Sequence, residues 1–320
     1  METINILCAT DNTFAPYCGI MLTSLFESNR DCHFDVYVLV DDSLSEKNIR
    51  KFGRLGEKYG NEIRLVQIDD SMTRTFPIIG SPRITTPTYY RLLAADLLPK
   101  NIRRVIYLDC DILVIGDIRP MWNVNLAGSA LAGVKECRSD YHCERLGYNA
   151  SFGYVNAGVL VMNLDYWREN RTFESLCDYS KNNASKLKFN DQDILNGTLH
   201  DHLLLMDSRY NFLIYTLYTG VWNDFSDERR EYYFGEYLKT AIVHFAGRRK
   251  PWDYRSYLGP FFHEWEHFRR KSLWRNSKNI KPFTKHVKYL IKKYLFPGIL
   301  RRQTSAQWVM LPENNQVFLP

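Results

Sequence analysis

The sequence predicts an α/β fold, an open sheet flanked by helices, followed by a basic, helical C-terminal extension. Three observations predict it. Apolar strand-like runs alternate with amphipathic stretches through the first 110 residues, and the intervals are long enough for helical crossovers. The 320 residues are 45% apolar and 24% charged, which suits one large domain, or a domain with an appendage, and excludes global disorder. Residues 248–302 hold 16 Lys and Arg against 3 Asp and Glu, a local +13 within a chain of net +6. That block is an appendage of different composition, and charge blocks of this kind meet polyanionic surfaces.

In order along the chain, residues 4–9 (INILCA) and 34–40 (FDVYVLV) read as buried strands, with a helix over 15–28 between them. Ser43-Leu-Ser-Glu46 has the form of a capping box and opens a helix to Tyr59, stopped by Gly60. A third strand covers 62–68. Thr86-Pro87 supplies an N-cap and first-turn proline for a helix through Leu97, and 104–108 (RVIYL) is a fourth strand. Residues 130–136 and 155–163 read as strands joined by a Gly/Tyr/Asn-rich connection. Residues 164–180 and 191–199 read as helices, and 241–245 (AIVHF) as a late strand. The composition changes after Pro251, which places a boundary between a domain over 1–250 and a basic aromatic region over 251–320.

The seven cysteines form no C-x-x-C pair and are odd in number, which argues against a disulfide scaffold or zinc ribbon and for a reducing compartment. The N-terminus has no signal-peptide pattern, and the longest apolar stretch, near residues 155–164, is half a membrane span. The expectation is a soluble or peripheral protein.

Four constellations are candidates for chemistry. In VIYLDCDILV, Asp109 and Asp111 lie two apart, and strand alternation points them to one side. They make either an oxygen site for a hard divalent cation or a solvated strand end. In HFAGRRKPW, His244 offers a nitrogen ligand, Gly247 a close backbone approach and Lys250 a compact cation for phosphate; the alternative is a buried histidine before a solvated basic turn. Mixed oxygen and nitrogen ligation leans toward Mn²⁺ over Mg²⁺. Asn156, in YVNAGVLVMN, either binds a polyol or caps its turn. Asp191, Gln192 and Asp193, in FNDQDILN, either read sugar hydroxyls or complement a helix dipole.

Taken in order, the ATD after the first strand, YLDCDILV, NAGVLVMNL, DQDILN and HFAG followed by KPW resemble glycosyltransferase family 8, the retaining α-glycosyltransferases. The resemblance covers roughly residues 3–275 and is nearest to bacterial lipopolysaccharide and lipooligosaccharide α-glucosyl- and α-galactosyltransferases. It implies the GT-A nucleotide-sugar-binding fold, with a Rossmann-like mixed sheet, and a UDP-hexose donor held with Mn²⁺ (Mg²⁺ as the alternative). By that resemblance Asp109, Asp111 and His244 are the metal ligands, and Cys110 lies between the first two. Ala9, Asp11 and Thr13 hold the uridine, Thr13 standing where Asn is common. Arg91, Asn156, Asp191 and Gln192 line the donor-sugar pocket, with Gln192 and Asp191 nearest the reacting carbon, and Gly247 and Lys250 clamp the diphosphate. The implied acceptor is a lipid-linked oligosaccharide of the lipopolysaccharide core, at the inner face of the bacterial cytoplasmic membrane.

In KHVKYLIKKYLF, Val287, Leu290, Ile291, Tyr294 and Leu295 fall on one helical stripe with lysines off it. That pattern suits an anionic membrane surface, or a helix packed on the domain. The competing reading is a basic-tailed nucleic-acid-binding protein, but no RNA-binding or helix-turn-helix motif is present and no nucleic-acid partner is expected.

Overall fold

The computed structural model describes residues 3–77, 86–247, 250–252, 259–276 and 309. Among the described residues ten strands form two sheets. The larger sheet contains β1 (Thr3–Thr10), β2 (His33–Val40), β3 (Glu62–Gln67), β4 (Arg104–Leu108), β6 (Leu131–Lys135), β7 (Val155–Asn163) and β8 (Leu203–Met206), in the order β3-β2-β1-β4-β7-β6-β8. The smaller one contains β5 (Ile112–Val114), β10 (Ile242–His244) and β9 (Phe212–Leu213), in that order. In the large sheet β7 alone runs antiparallel to its neighbours, β4 and β6; the remaining pairs are parallel. The sheet is therefore mixed, as expected.

Alternation along β1 explains its role at the centre. Ile4, Ile6 and Cys8 enter one buried cluster, whereas Leu7 and Ala9 enter another on the opposite face. A third, aromatic cluster surrounds the small sheet and includes Phe212, Phe225, Tyr237, Phe261 and Trp265. The first helix spans Ala15–Ser28, as its spacing predicts. The second spans Glu46–Tyr59 and closes on Gly60 in the left-handed region at φ 66°.

Several local expectations are corrected. The second helix is capped by Ser45, which accepts from Asn48 N, while Ser43 bonds to Asp41 and Asn12 instead. Residues 86–97 form a 3₁₀ turn to Leu93 and only then a short α-helix, Ala94–Leu97. The single helix expected over 164–180 breaks at Arg171, whose φ of 49° separates Leu164–Glu169 from Thr172–Asn182. The connection before β7 contains a helix, Ser139–Leu146, ended by Gly147.

The aromatic residues beyond 251 also divide. Phe261, Trp265, Phe268 and Trp274 are buried in the domain. Trp274, 1% exposed, fills the space over Gly19 and packs on Phe52, and its indole N–H donates to Asn48 at 2.8 Å. Lys271 pairs with Glu27 at 2.8 Å, tying the helix Phe262–Lys271 to the first helix. Burial raises the Glu27 carboxyl, but hydrogen bonds from Lys271, Tyr59 and Arg30 outweigh it and hold the group down to about 2. The lysine-rich stripe at 284–296 lies outside the described residues. No helix among the described residues is long and apolar enough to cross a membrane, and all seven cysteines are free thiols.

Candidate active site

The site gathers at the carboxyl edge of the large sheet, where open α/β sheets place their ligands. Asp109 and Asp111 do converge, but strand alternation is not the reason. β4 ends at Leu108, and Asp109-Cys110-Asp111 is the turn that hands the chain to β5 in the other sheet. Each end of the turn is pinned separately. Asp109 N donates to Gly158 O of β7 at 2.9 Å, and Asp111 O accepts from Phe245 N, just past β10, at 2.9 Å. Cys110 turns inward and donates to Ala9 O at 3.1 Å.

This pinning brings His244 to the pair. Its Nε2 lies 3.2 Å from Asp111 Oδ1, and one ligand atom from each of Asp109, Asp111 and His244 falls within 4.8 Å of the others. Two carboxylates and an imidazole suit a hard-to-borderline divalent cation. The close packing explains Gly158, since a methyl group there would come within 2.8 Å of Asp109 Oδ2 and overlap the His244 ring. Lys250 pairs with Asp111 Oδ2 and also donates to Phe245 O at 2.7 Å. Burial raises the Asp111 carboxyl, but Lys250 and His244 hold it well below the ordinary range.

Arg91 organises the second half. Buried at 4% exposure and stacked over Tyr107, it donates to Asp109 Oδ1 at 2.9 Å and to Ala157 O. Its Nε lies 2.9 Å from Asp191 Oδ2, but its hydrogen goes to Thr88 O, so this is an ion contact and not a hydrogen bond. Asp191 Oδ2 is thus a buried acceptor without a hydrogen-bond donor among the described residues, while Oδ1 accepts from Thr88 at 2.8 Å. Burial pushes the Asp191 carboxyl up to about 6, with Arg91 opposing the shift. Asp193 faces away: Arg145 clamps it with two N–H groups, and Tyr154 and two backbone amides complete its shell.

A buried relay of amides joins the Asp109–Asp111–His244 cluster to Gln192, and backbone donors fix its polarity. Gly158 N donates to Asn156 Oδ1 and Ala157 N to Gln192 Oε1, each at 3.0 Å. Both oxygens are therefore acceptors, which settles the amide orientations. Asn211 Nδ2 then donates to Asn156 Oδ1 at 3.0 Å, and its own Oδ1 faces His244 Nδ1 at 2.9 Å. His244 Nδ1 therefore donates to Asn211, and Nε2 is the ring atom turned toward the two aspartates. In the other direction Asn156 donates to Gln192 Oε1 at 3.1 Å and to Glu136 at 2.9 Å. Gln192 Nε2 donates to Tyr154, which donates to Asp193. Glu136 also accepts from Tyr215.

Ala9 is the penultimate residue of β1, inside the strand and not after it, and Asp11 and Thr13 follow at the same edge. Asp11 accepts from Phe14 N at 2.8 Å and Thr13 is exposed. Gly247 follows β10 with φ 89°. Sequence reasoning missed Asn211, Glu136, Tyr154 and Thr88. Asn211 sits alone between Tyr210 and Phe212, where a polar residue in an apolar run was the available signal; it is fully buried.

The architecture is that of a GT-A glycosyltransferase. The crystal structure of the galactosyltransferase LgtC, in complex with donor and acceptor sugar analogs, superposes with a TM-score of 0.75 at 24% identity, covering 85% of this chain and 99% of that one. The model of glycosyl transferase family 8 matches residues 5–256, and the chain belongs to that family. Relatives include general stress protein A of Bacillus subtilis, 26% identical over 87% of this chain and 97% of its own length. Another is a lipopolysaccharide 1,2-glucosyltransferase of Escherichia coli, 28% identical over 88% of this chain and 80% of its own.

Proposed function

We propose that this protein is a metal-dependent, retaining hexosyltransferase that moves glucose or galactose from a UDP-sugar to a lipopolysaccharide core or lipooligosaccharide acceptor. The observation that carries the reading is the Asp109–Asp111–His244 cluster with Lys250 beside it, on a chain of this family. Breaking the anomeric C–O bond leaves charge on a diphosphate. A divalent cation, Mn²⁺ in this reading, supplies Lewis-acid stabilisation of that leaving group when bound. Asp109, Asp111 and His244 Nε2 would hold it, and Lys250 would exchange its contact with Asp111 for the diphosphate. Gly247, with no side chain, lets phosphate approach the backbone. Ala9, Asp11, Thr13 and Cys110 fall to the uridine side, whereas Arg91 positions Asp109 and Asp191.

On the sugar side, the unused acceptor of Asp191 suits a hydroxyl donor on the hexose. Gln192 stands next to it, but both ends of its amide are engaged in the relay, and an amide is a poor nucleophile. A front-face substitution with retention, in which Gln192, held by the relay, stabilises the oxocarbenium-like centre, fits this better than a covalent double displacement. The similarity to the E. coli lipopolysaccharide glucosyltransferase supports the acceptor class. The basic composition of residues 277–302 supports action at an anionic membrane face in the cytoplasm, and binding to anionic vesicles that is lost on truncation after residue 276 is its test.

The deciding experiment is a screen of UDP-glucose and UDP-galactose with Mn²⁺ and truncated core acceptors, with NMR of the product linkage. The reading requires an α-linked product from one of the two donors. A β-linked product, or transfer undiminished by chelator, would overturn it.

A further inference from the structure

Beyond the donor side, the same sheet edge carries a second concavity. A cleft of about 480 Å³ lies between the segment that follows β6, the end of β8 and the helix Asp227–Leu238. Its volume is in the range of small-ligand sites. Glu136 lines it and also bonds Asn156, so the cleft and the amide relay share a wall.

The charges in the cleft do not cancel. Lys135 and Asp140 pair with each other at 3.3 Å. Glu136 is buried and spends its oxygens on Asn156 and Tyr215. Two guanidinium groups remain. Arg138 is exposed and makes no ion pair among the described residues. Arg229 is exposed but held: it lies 4.7 Å over the Phe225 ring and 5.9 Å over Tyr233, and donates to Cys137 O. A planar guanidinium fixed in this way binds carboxylate or phosphate with directional pairs of hydrogen bonds. Around it, Tyr141 is 52% exposed and Tyr232 48% exposed. Tyrosine offers an apolar ring to the C–H face of a pyranose and a hydroxyl to its rim.

We propose that this cleft is an acceptor subsite for a sugar that bears an anionic group, a phosphate ester or a carboxylate, with Arg138 and Arg229 pairing the anion and Tyr141 and Tyr232 packing the ring. The assignment to the acceptor rests on the glycosyltransferase reading above; the binding itself does not. The cleft lies at the β6–β8 end of the sheet edge, away from the β1–β4 end proposed for the nucleotide.

The test uses the full chain with UDP and Mg²⁺ saturating the donor side, so that added anions do not read out the diphosphate clamp. Glucose, glucuronic acid, glucose 6-phosphate and inorganic phosphate are titrated separately by ligand-observed NMR. Glucuronic acid or glucose 6-phosphate, or both, bind at least tenfold more tightly than glucose, and their order names the anion. The paired substitutions Arg138→Glu and Arg229→Glu remove that preference. Mn²⁺-dependent hydrolysis of the UDP-sugar by the double variant stays within twofold of wild type. Arg138→Gln, at an exposed position, serves if the pair fails to fold, and lowers anionic-sugar affinity at least threefold. Equal affinity for glucose and the anionic sugars overturns the proposal, as do unchanged affinities in the variants. Inorganic phosphate binding as tightly as glucose 6-phosphate overturns its sugar part. If wild-type protein consumes no UDP-sugar with any acceptor, the glycosyltransferase reading fails instead, and the binding result stands on its own.

Discussion

The sheet edge at β4, β7 and β10 and the docked segment from Phe261 to Trp274 bury comparable side chains for opposite ends. At the edge the buried groups are polar and, Asp191 Oδ2 apart, matched, Arg91 to Asp109 and His244 through Asn211 and Asn156 to Gln192. In the docked segment they are aromatic, and Trp274 closes a gap over Gly19 that apolar area alone would fill. Apolar burial is non-directional and supplies stability, whereas matched polar burial adds little net stability and fixes orientation. Substitutions in the two regions should therefore fail differently.

The largest expected effect lies in the docked segment. Trp274→Ala should cost about 3–5 kcal/mol of unfolding free energy, measured by urea denaturation, because it opens a cavity and strands Asn48. Turnover per folded molecule should not change. A loss below about 1 kcal/mol would mean that the segment contributes little to the core.

Asn211→Ala tests the other region. Removing the acceptor for His244 Nδ1 frees the ring and its tautomer, and Mn²⁺ affinity measured by EPR titration should fall about 10–100-fold. Asn211→Asp keeps an acceptor facing His244 and should bind Mn²⁺ more tightly than the alanine variant. Equal affinities for wild type and Asn211→Ala would remove the relay from the account.

Smaller effects follow at the sugar side. Gln192→Ala should lower turnover at least tenfold, about 1.4 kcal/mol of barrier, with UDP binding unchanged. Weakened UDP affinity at constant turnover would instead place Gln192 on the nucleotide. Asp191 gives a pH dependence. Its carboxyl sits at about 6, so its charge, and its contact with Arg91, are lost as pH falls through that value. Transfer should show an acid limb near pH 6 that Asp191→Asn abolishes. The linkage to stability has the opposite sign. A raised carboxyl value contributes stability below its ordinary 3.8 and loses that contribution as pH rises through about 6.

Much of this was legible in the residues. Periodicity placed the helix Ala15–Ser28 and the strands Arg104–Leu108 and Val155–Asn163 at their observed bounds, because each is buried against neighbours that enforce its pattern. The grouping of Asp109, Asp111 and His244 was legible as residue types, but the reason for its convergence was not. The turn at Asp109–Asp111 joins two sheets, and that pairing depends on β7 and β10, far away in sequence. The roles of Asn211 and Glu136 were hidden for the same reason, since their partners lie 33 and 20 positions away and only the polar Asn211 in an apolar run gave a signal. The aromatic residues 261–274 were misgrouped with the basic tail because composition does not distinguish a ring at a membrane surface from one in a core.

The proposed function requires Asp109, Asp111 and His244 to act as one cation site for sugar transfer. The most direct test is a Mn²⁺ titration of UDP-hexose turnover by wild type and Asp111→Asn. Wild-type turnover should vanish in chelator and return with Mn²⁺, and Asp111→Asn should lose at least about 100-fold, 2.7 kcal/mol or more, at modest Mn²⁺. Near-normal turnover by Asp111→Asn under those conditions would contradict the assignment.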